Sequence, residues 1–233
     1  MLEGVVVNPF RPISRRNLLR STMAAGAGLA LPTVVFGRQC DQTPAQAEGP
    51  FYMNTWDRTK PVPHRNDLTW ISDPGKKAQG EVIYLTGQLT DPDCKPINGA
   101  IVEIWQACRT GRYAHMADPN PAWLDPNFRY FGESITDEDG MYSFKTIKPG
   151  HYPVGPNWTR PAHVHFKISA GLTARMLTTQ MYFAGDPHLG SDRLLNSVPK
   201  PEQKHLIIEP GRRPDANTED LYTFNVHVVP LTI

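Results

Sequence analysis

Residues 160–169 read Arg160-Pro-Ala-His-Val-His-Phe-Lys-Ile-Ser169, and the reading of the whole chain turns on them. Successive side chains of a strand point to opposite faces, so in this strand-like run His163 and His165 share one face while Val164 takes the other. Two imidazoles side by side on one face could bind one metal ion. The plain alternative is a polar outer face on a sheet, and the rest of the chain has to choose between the two.

Working outward, the pattern from Glu81 onward is strand, turn, strand. Val82 to Leu89 (VIYLTGQL) precedes an Asp/Pro-rich turn, and Gly99 to Ala107 (GAIVEIWQA) alternates well. Ser134 to Ile147 (SITDEDGMYSFKTI) reads as two strands around an Asp139-Gly140 turn. Ala162 to Ser169, Met176 to Phe183 (MLTTQMYF) and a last strand from Leu221 to Leu231 (LYTFNVHVVPL) follow. No segment carries a long helical period and no internal repeat is visible. The 23 prolines and 18 glycines sit between short apolar runs, where they serve as turns. The prediction is an all-β protein, a β-sandwich with an arm ahead of it. Long irregular stretches at 113–131 and 185–204 are expected to be functional loops or lids.

The chain has 233 residues, enough to bury a substantial core, and a net charge of +1. No long basic or acidic run appears, so a nucleic-acid or polyanion partner is not expected. Near the N-terminus, Ser14-Arg-Arg-Asn-Leu-Leu-Arg20 precedes an Ala/Gly-rich stretch from Ser21 to Gly37, which resembles a Tat export signal. That stretch is interrupted by Gly and Pro32 and is too weak for a membrane span, and no later segment could span one. The expected organisation is a leader at 1–38, an N-terminal arm at 39–80 and a catalytic sandwich at 81–233, exported to the periplasm or beyond. Of three cysteines, Cys40 lies in a poor lipoprotein cleavage box. Cys94 and Cys108 flank a strand of about eight residues, roughly 26 Å long. A disulfide needs Cα atoms within about 7 Å, so no bridge between these two is expected.

Two tyrosines are suggestively placed: Tyr113 ends TGRYAH after one strand, and Tyr152 sits in KPGHYP after the next pair. Taken singly, each reads as an ordinary buried or surface aromatic. Taken as blocks in fixed order, GRYAHM, LDPNF, TDEDGMYSFKTIKPGHYP, RPAHVHFKI and TTQMYF resemble the intradiol ring-cleavage dioxygenases, with the protocatechuate type nearest. The likeness runs from about Thr43 (TPAQAEGPFY) to Phe183 and more weakly beyond.

The resemblance implies an immunoglobulin-like or prealbumin-like sandwich and a mononuclear Fe(III) held by Tyr113, Tyr152, His163 and His165. Anionic oxygen donors suit a hard trivalent ion, whereas two His plus a carboxylate would resemble a ferrous facial triad. A trivalent cation also makes tyrosinate the stable form of a phenol whose pKa is ordinarily near 10. By the same resemblance, a catechol displaces Tyr152 from the iron and reacts with O2 to give a cis,cis-muconate. Arg160 would favour negative character on the ring, and Gln180 would bind substrate or orient Arg160. Protocatechuate-like substrates are the favoured reading. His151 before Tyr152 and Val154 after Pro153 depart from the protocatechuate pattern, which carries a tryptophan there. A homo-oligomer and a monomer both stay open, and His115 and His188 are read as solvated loop residues. Two other readings compete: a non-catalytic carboxypeptidase-regulatory or transthyretin-like sandwich, and an extradiol enzyme using ferrous iron.

Overall fold

A computed structural model describes residues 40–52, 66–169, 177–212 and 220–228 of the chain. The leader expected at 1–38 lies outside these residues. Twelve strands follow one another: β1 (Val82–Thr90), β2 (Ile101–Trp105), β3 (Phe131–Ile135), β4 (Met141–Ile147), β5 (Tyr152–Gly155), β6 (Trp158–Arg160), β7 (His163–Ser169), β8 (Leu177–Phe183), β9 (Ile207–Ile208), β10 (Pro210–Arg212), β11 (Asp220–Thr223) and β12 (Val226–His227). Helix among the described residues is confined to short 3-10 turns, and no helix is long and apolar enough to cross a membrane. The all-β expectation holds.

One sheet is built on β1. It pairs antiparallel with β4 along one edge and parallel with β11 and then β12 along the other, while β10 adds to β11. The second sheet runs β3-β2-β7-β8-β9, antiparallel except for the β8/β9 pair. A two-stranded ribbon, β5–β6, stands apart from both. In β1 the alternation is complete: Ile83, Leu85 and Leu89 are buried while Val82, Tyr84, Thr86 and Gln88 are half-covered. Phe166 of β7 meets Tyr142 of β4 and Phe224 across the interior, at ring-centre distances of 6.1 and 4.8 Å. Burying rings of this size is what drives the two sheets together.

Two expectations are corrected, and the cysteine reading, which expected no Cys94–Cys108 bridge, holds but is incomplete. The Asp139-Gly140 turn does not close a pair, since β3 pairs with β2 and β4 with β1. The turn is real: the Asp137 carboxylate accepts the N–H groups of Asp139 and Met141, and Gly140 has φ +72°. It is a corner that passes the chain from one sheet to the other. The expected last strand is split into β11 and β12, with Asn225 between them accepting the Gln88 N–H through its side chain. Cys108 stays a buried free thiol, but Cys94 bridges to Cys40, with Cα atoms 5.3 Å apart. That bridge was not read from the sequence.

The segment from Cys40 to Tyr52 starts against β12 of the first sheet and then crosses the second. Thr43 N–H donates to His227 O, Gln46 N–H to Thr178 O, and Thr179 Oγ1 to Pro44 O. It crosses the outer face of that sheet, the face that carries both histidines.

Candidate metal centre

β7 is buried on both faces. Val164, Phe166 and Ile168 enter the core, and His163 and His165 lie on the opposite face, each under 4% exposed. Register partners on the flanking strands shape their surroundings. Trp105 of β2 lies opposite His165 and stacks on it, with ring centres 4.7 Å apart and planes at 10°. Gln180 and Tyr182 of β8 lie opposite His165 and His163. The polar outer face of the sequence reading therefore exists, but loops cover it.

Tyr113 arrives from a tight turn after β2. Gly111 N–H donates to Cys108 O, Cys108 N–H to Arg112 O, and the Asp118 carboxylate accepts the Tyr113 N–H at 2.6 Å. Tyr152 opens β5, and the two tyrosine-bearing segments are pressed backbone to backbone. Gly111 has φ +79°, and a Cβ built there would fall 2.3 Å from His151 O. Only glycine tolerates both the left-handed backbone and that approach.

The four side chains converge. Tyr113 Oη lies 3.3 Å from His163 Nε2. Ring centres are 5.7 Å apart for Tyr113 and Tyr152, 5.7 Å for Tyr152 and His163, 4.9 Å for His163 and His165, and 6.3 Å for Tyr113 and His165. Phe51, delivered by the N-terminal segment, stacks on Tyr113 at 4.6 Å and closes the group from outside.

Electrostatics follow from burial. Desolvation, and then the neighbouring Tyr152, push the Tyr113 hydroxyl well above the ordinary phenol range; burial also raises Tyr152, against the pull of Arg160. Burial, reinforced by the Arg160 cation, holds both imidazoles well below the usual histidine range. Left to themselves, the four groups are neutral. His163 Nδ1 sits 2.7 Å from Pro161 O, and a carbonyl can only accept, so Nδ1 carries the proton and Nε2 presents its lone pair to the site. His165 Nδ1 is buried without a hydrogen-bond partner, so the stacked Trp105 is what holds that ring in its plane.

These observations fit a bound trivalent cation. Two phenol oxygens and two unprotonated ring nitrogens meet in a dry place, and the phenols can lose protons only to a strong local charge. Among the described residues no group of three or more His, Cys, Asp or Glu side chains is arranged for a metal. Among the described residues the two histidines have no carboxylate to complete a facial triad, and the further donors at hand are phenolic.

Arg160 and Gln180 come together as well. Arg160 Nη2 donates to Gln180 Oε1 at 2.6 Å, and Gln180 Nε2 donates to Ala47 O at 2.9 Å. A cavity of about 310 Å³ opens beside the centre, lined by Phe51, Tyr152, Val154, Trp158, Arg160 and His165 among others. His115 and His188 lie outside the group: the ring of His115 accepts the Ala117 N–H of its own loop, and His188 sits against His151. Sequence reading missed Phe51, Tyr182, Trp158 and Asp192. The first lies in a segment with no periodic signal, and the last in a long loop.

A family profile described as Dioxygenase matches residues 47–230. Over 147 residues the chain is 43% identical to the protocatechuate 3,4-dioxygenase beta chain of Burkholderia cepacia, covering 62% of this chain and 63% of that one. The chain belongs to the intradiol dioxygenase family. It is also 37% identical over 163 residues to catechol 1,2-dioxygenase 1 of Acinetobacter lwoffii, covering 64% of this chain and 49% of the relative. The chain thus matches about half to two thirds of the length of these curated relatives. Among solved structures, the intradiol ring-cleavage dioxygenase of Tetranychus urticae superposes with a TM-score of 0.62 at 25% identity, over 82% of this chain and 96% of that one. Catechol 1,2-dioxygenase of Pseudomonas arvilla C-1 superposes with a TM-score of 0.61 at 28% identity, over 82% and 63%. The intradiol fold accounts for the sandwich, and the family match covers every residue of the tyrosine and histidine cluster.

Proposed function

We propose that the protein is an Fe(III)-dependent intradiol dioxygenase that opens a catecholic ring with O2, between the two hydroxyl-bearing carbons, to a cis,cis-muconate. A protocatechuate-like catechol is the substrate favoured, a reading supported by the 43% identity to a protocatechuate 3,4-dioxygenase beta chain. Export by the Tat route is part of the proposal. It is supported by the twin arginine at Arg15 and Arg16 and by the Cys40–Cys94 disulfide, a bond that persists in oxidising compartments.

The observation that carries the reading is the meeting of Tyr113, Tyr152, His163 and His165 beside a cavity of about 310 Å³, whose wall includes Tyr152 and His165. These four would hold the iron, which supplies the Lewis acidity that draws electron density from a catechol and lets it react with O2. The protein's own groups do the rest. Tyr152 lines the cavity, so its oxygen is placed to take a proton from an incoming catechol hydroxyl. The buried Arg160 guanidinium offers a fixed positive charge to negative character developing on the ring, where little water competes. Phe51 and Trp158 exclude solvent. A non-catalytic binding sandwich gives no reason for these residues to share one dry site.

The test is optical. Ferric-reconstituted protein should be burgundy from tyrosinate-to-iron charge transfer, Tyr113→Phe should lose most of that colour, and the product should absorb as a muconate rather than as a yellow semialdehyde. Protein that stays colourless after ferric reconstitution refutes the proposal.

A further inference from the structure

The chemistry proposed above gives no task to Asp192, the most deeply buried of three buried carboxylates among the described residues. Asp192 follows a short 3-10 turn (Leu189–Ser191) in the 185–204 loop, and its side chain is wholly buried. An anion removed from water needs donors for its lone pairs. Four reach it. Arg160 Nε donates to Oδ1 at 2.9 Å and Nη2 to Oδ2 at 3.4 Å; Trp158 Nε1 donates to Oδ1 at 3.0 Å, and the Leu195 N–H to Oδ2 at 3.1 Å.

The pattern has a geometric consequence. Nε and Nη2 form one edge of the planar guanidinium, and the carboxylate grips that edge side-on. Nη2 also reaches Gln180 Oε1 at 2.6 Å and Tyr182 Oη at 3.2 Å. These bonds leave Nη1 as the nitrogen not engaged by them, in a residue that lines the cavity. Arg160 also ends β6, whose only ladder is with β5, opposite Tyr152, so neither of the two large sheets fixes its backbone. The long side chain depends on its terminal bonds for a single orientation. Trp158 and Leu194 line the same cavity, and Asp192 binds the first and precedes the second by two residues.

We propose that Asp192 is the positioning residue of Arg160. It holds the guanidinium plane so that Nη1 faces the reacting ring, and through Trp158 and the Leu194–Leu195 backbone it ties the 185–204 loop to the cavity wall. The inference rests on the dioxygenase reading and on Arg160 acting upon the ring.

The experiment is a double-mutant cycle on the iron-loaded enzyme, with protocatechuate and catechol as probes. Asp192→Asn keeps the shape but turns an amide N–H toward a guanidinium that has only donors. Its kcat is expected to fall about 100-fold, the cost of misplacing a catalytic group by about 1 Å. KM should stay within about threefold, because the lost contact acts in the transition state, and the visible band should be unchanged because the iron donors are untouched. Arg160→Met should be similarly slow, and the double variant no slower than Arg160→Met alone, since residues acting as one unit are not additive. A merely structural Asp192 would lower thermal stability without splitting kcat from KM, and its loss would multiply with that of Arg160→Met. Either that multiplication or an Asp192→Asn kcat within threefold of wild type overturns the proposal. Should Asp192→Asn fail to fold, Asp192→Glu carries the same test, with wild-type kcat as the overturning result. Absence of ring cleavage in the wild type would overturn the dioxygenase reading along with this one; an active wild type with an unaffected Asp192→Asn overturns this one alone.

Discussion

Removing the Cys40–Cys94 disulfide should lower the melting temperature by about 10 °C. The bridge joins residues 54 apart in sequence. The chain-entropy relation for closing a loop of that length gives about 4 kcal/mol at 25 °C. For a domain of this size each kcal/mol moves Tm by ~2–4 °C, which sets the expected fall. The loss should also be felt locally. Beyond the bridge, the segment to Tyr52 is held by bonds such as Thr43 N–H to His227 O, Gln46 N–H to Thr178 O and Gln180 Nε2 to Ala47 O. Differential scanning calorimetry of Cys40→Ser/Cys94→Ser against wild type, at matched scan rates, measures the first effect, and reductant added to the wild type should reproduce it. Hydrogen exchange at Thr43 and Gln46 measures the second, with faster exchange expected in the variant. A fall in Tm under about 3 °C, with unchanged exchange at those amides, would refute the reasoning: the segment would then be held by its hydrogen bonds alone.

Two further outcomes are expected. Gly111→Ala should destabilise the fold by about 2 kcal/mol or more, from the left-handed backbone at φ +79° and the 2.3 Å approach to His151 O; a denaturation midpoint matching wild type would contradict it. Burial, and then the nearby His205, hold the His227 imidazole below its usual range. Its folded value thus lies under its unfolded one, so the stability it contributes is complete above about pH 6.5 and is lost as pH falls toward the folded value. His227→Gln should therefore lose less Tm than wild type between pH 7.5 and 5.5, and equal losses would count against the assignment.

Much of the sandwich was legible because burial writes a period of two into a strand. Val82–Leu89 and His163–Ser169 each show it, and both are strands. Pairing was not legible: which sheet claims Ser134 or Met141 depends on contacts with distant strands, and the turn between them is compatible with either outcome. The β5–β6 ribbon is too short to show any period. The histidine pair announced itself through alternation, whereas Tyr113 and Tyr152 stood out only through the family resemblance; alone, each is one aromatic among many. Asp192 gave no signal, and Phe51 none beyond its place in the TPAQAEGPFY block, since an acid in a loop and an aromatic in an arm acquire meaning only when the fold carries them to the same site.

The donors are mounted on unlike supports. His163 and His165 ride on β7, locked between β2 and β8, whereas Tyr152 and Arg160 face each other across the ribbon, whose register shifts between Pro153 and Gly155. Shifting that ribbon would break no ladder bond in either sheet, and it would carry the phenol and the guanidinium together. Descendants of such a scaffold can retune what they accept by remodelling the residues from Pro153 to Trp158, while the imidazole platform is inherited intact.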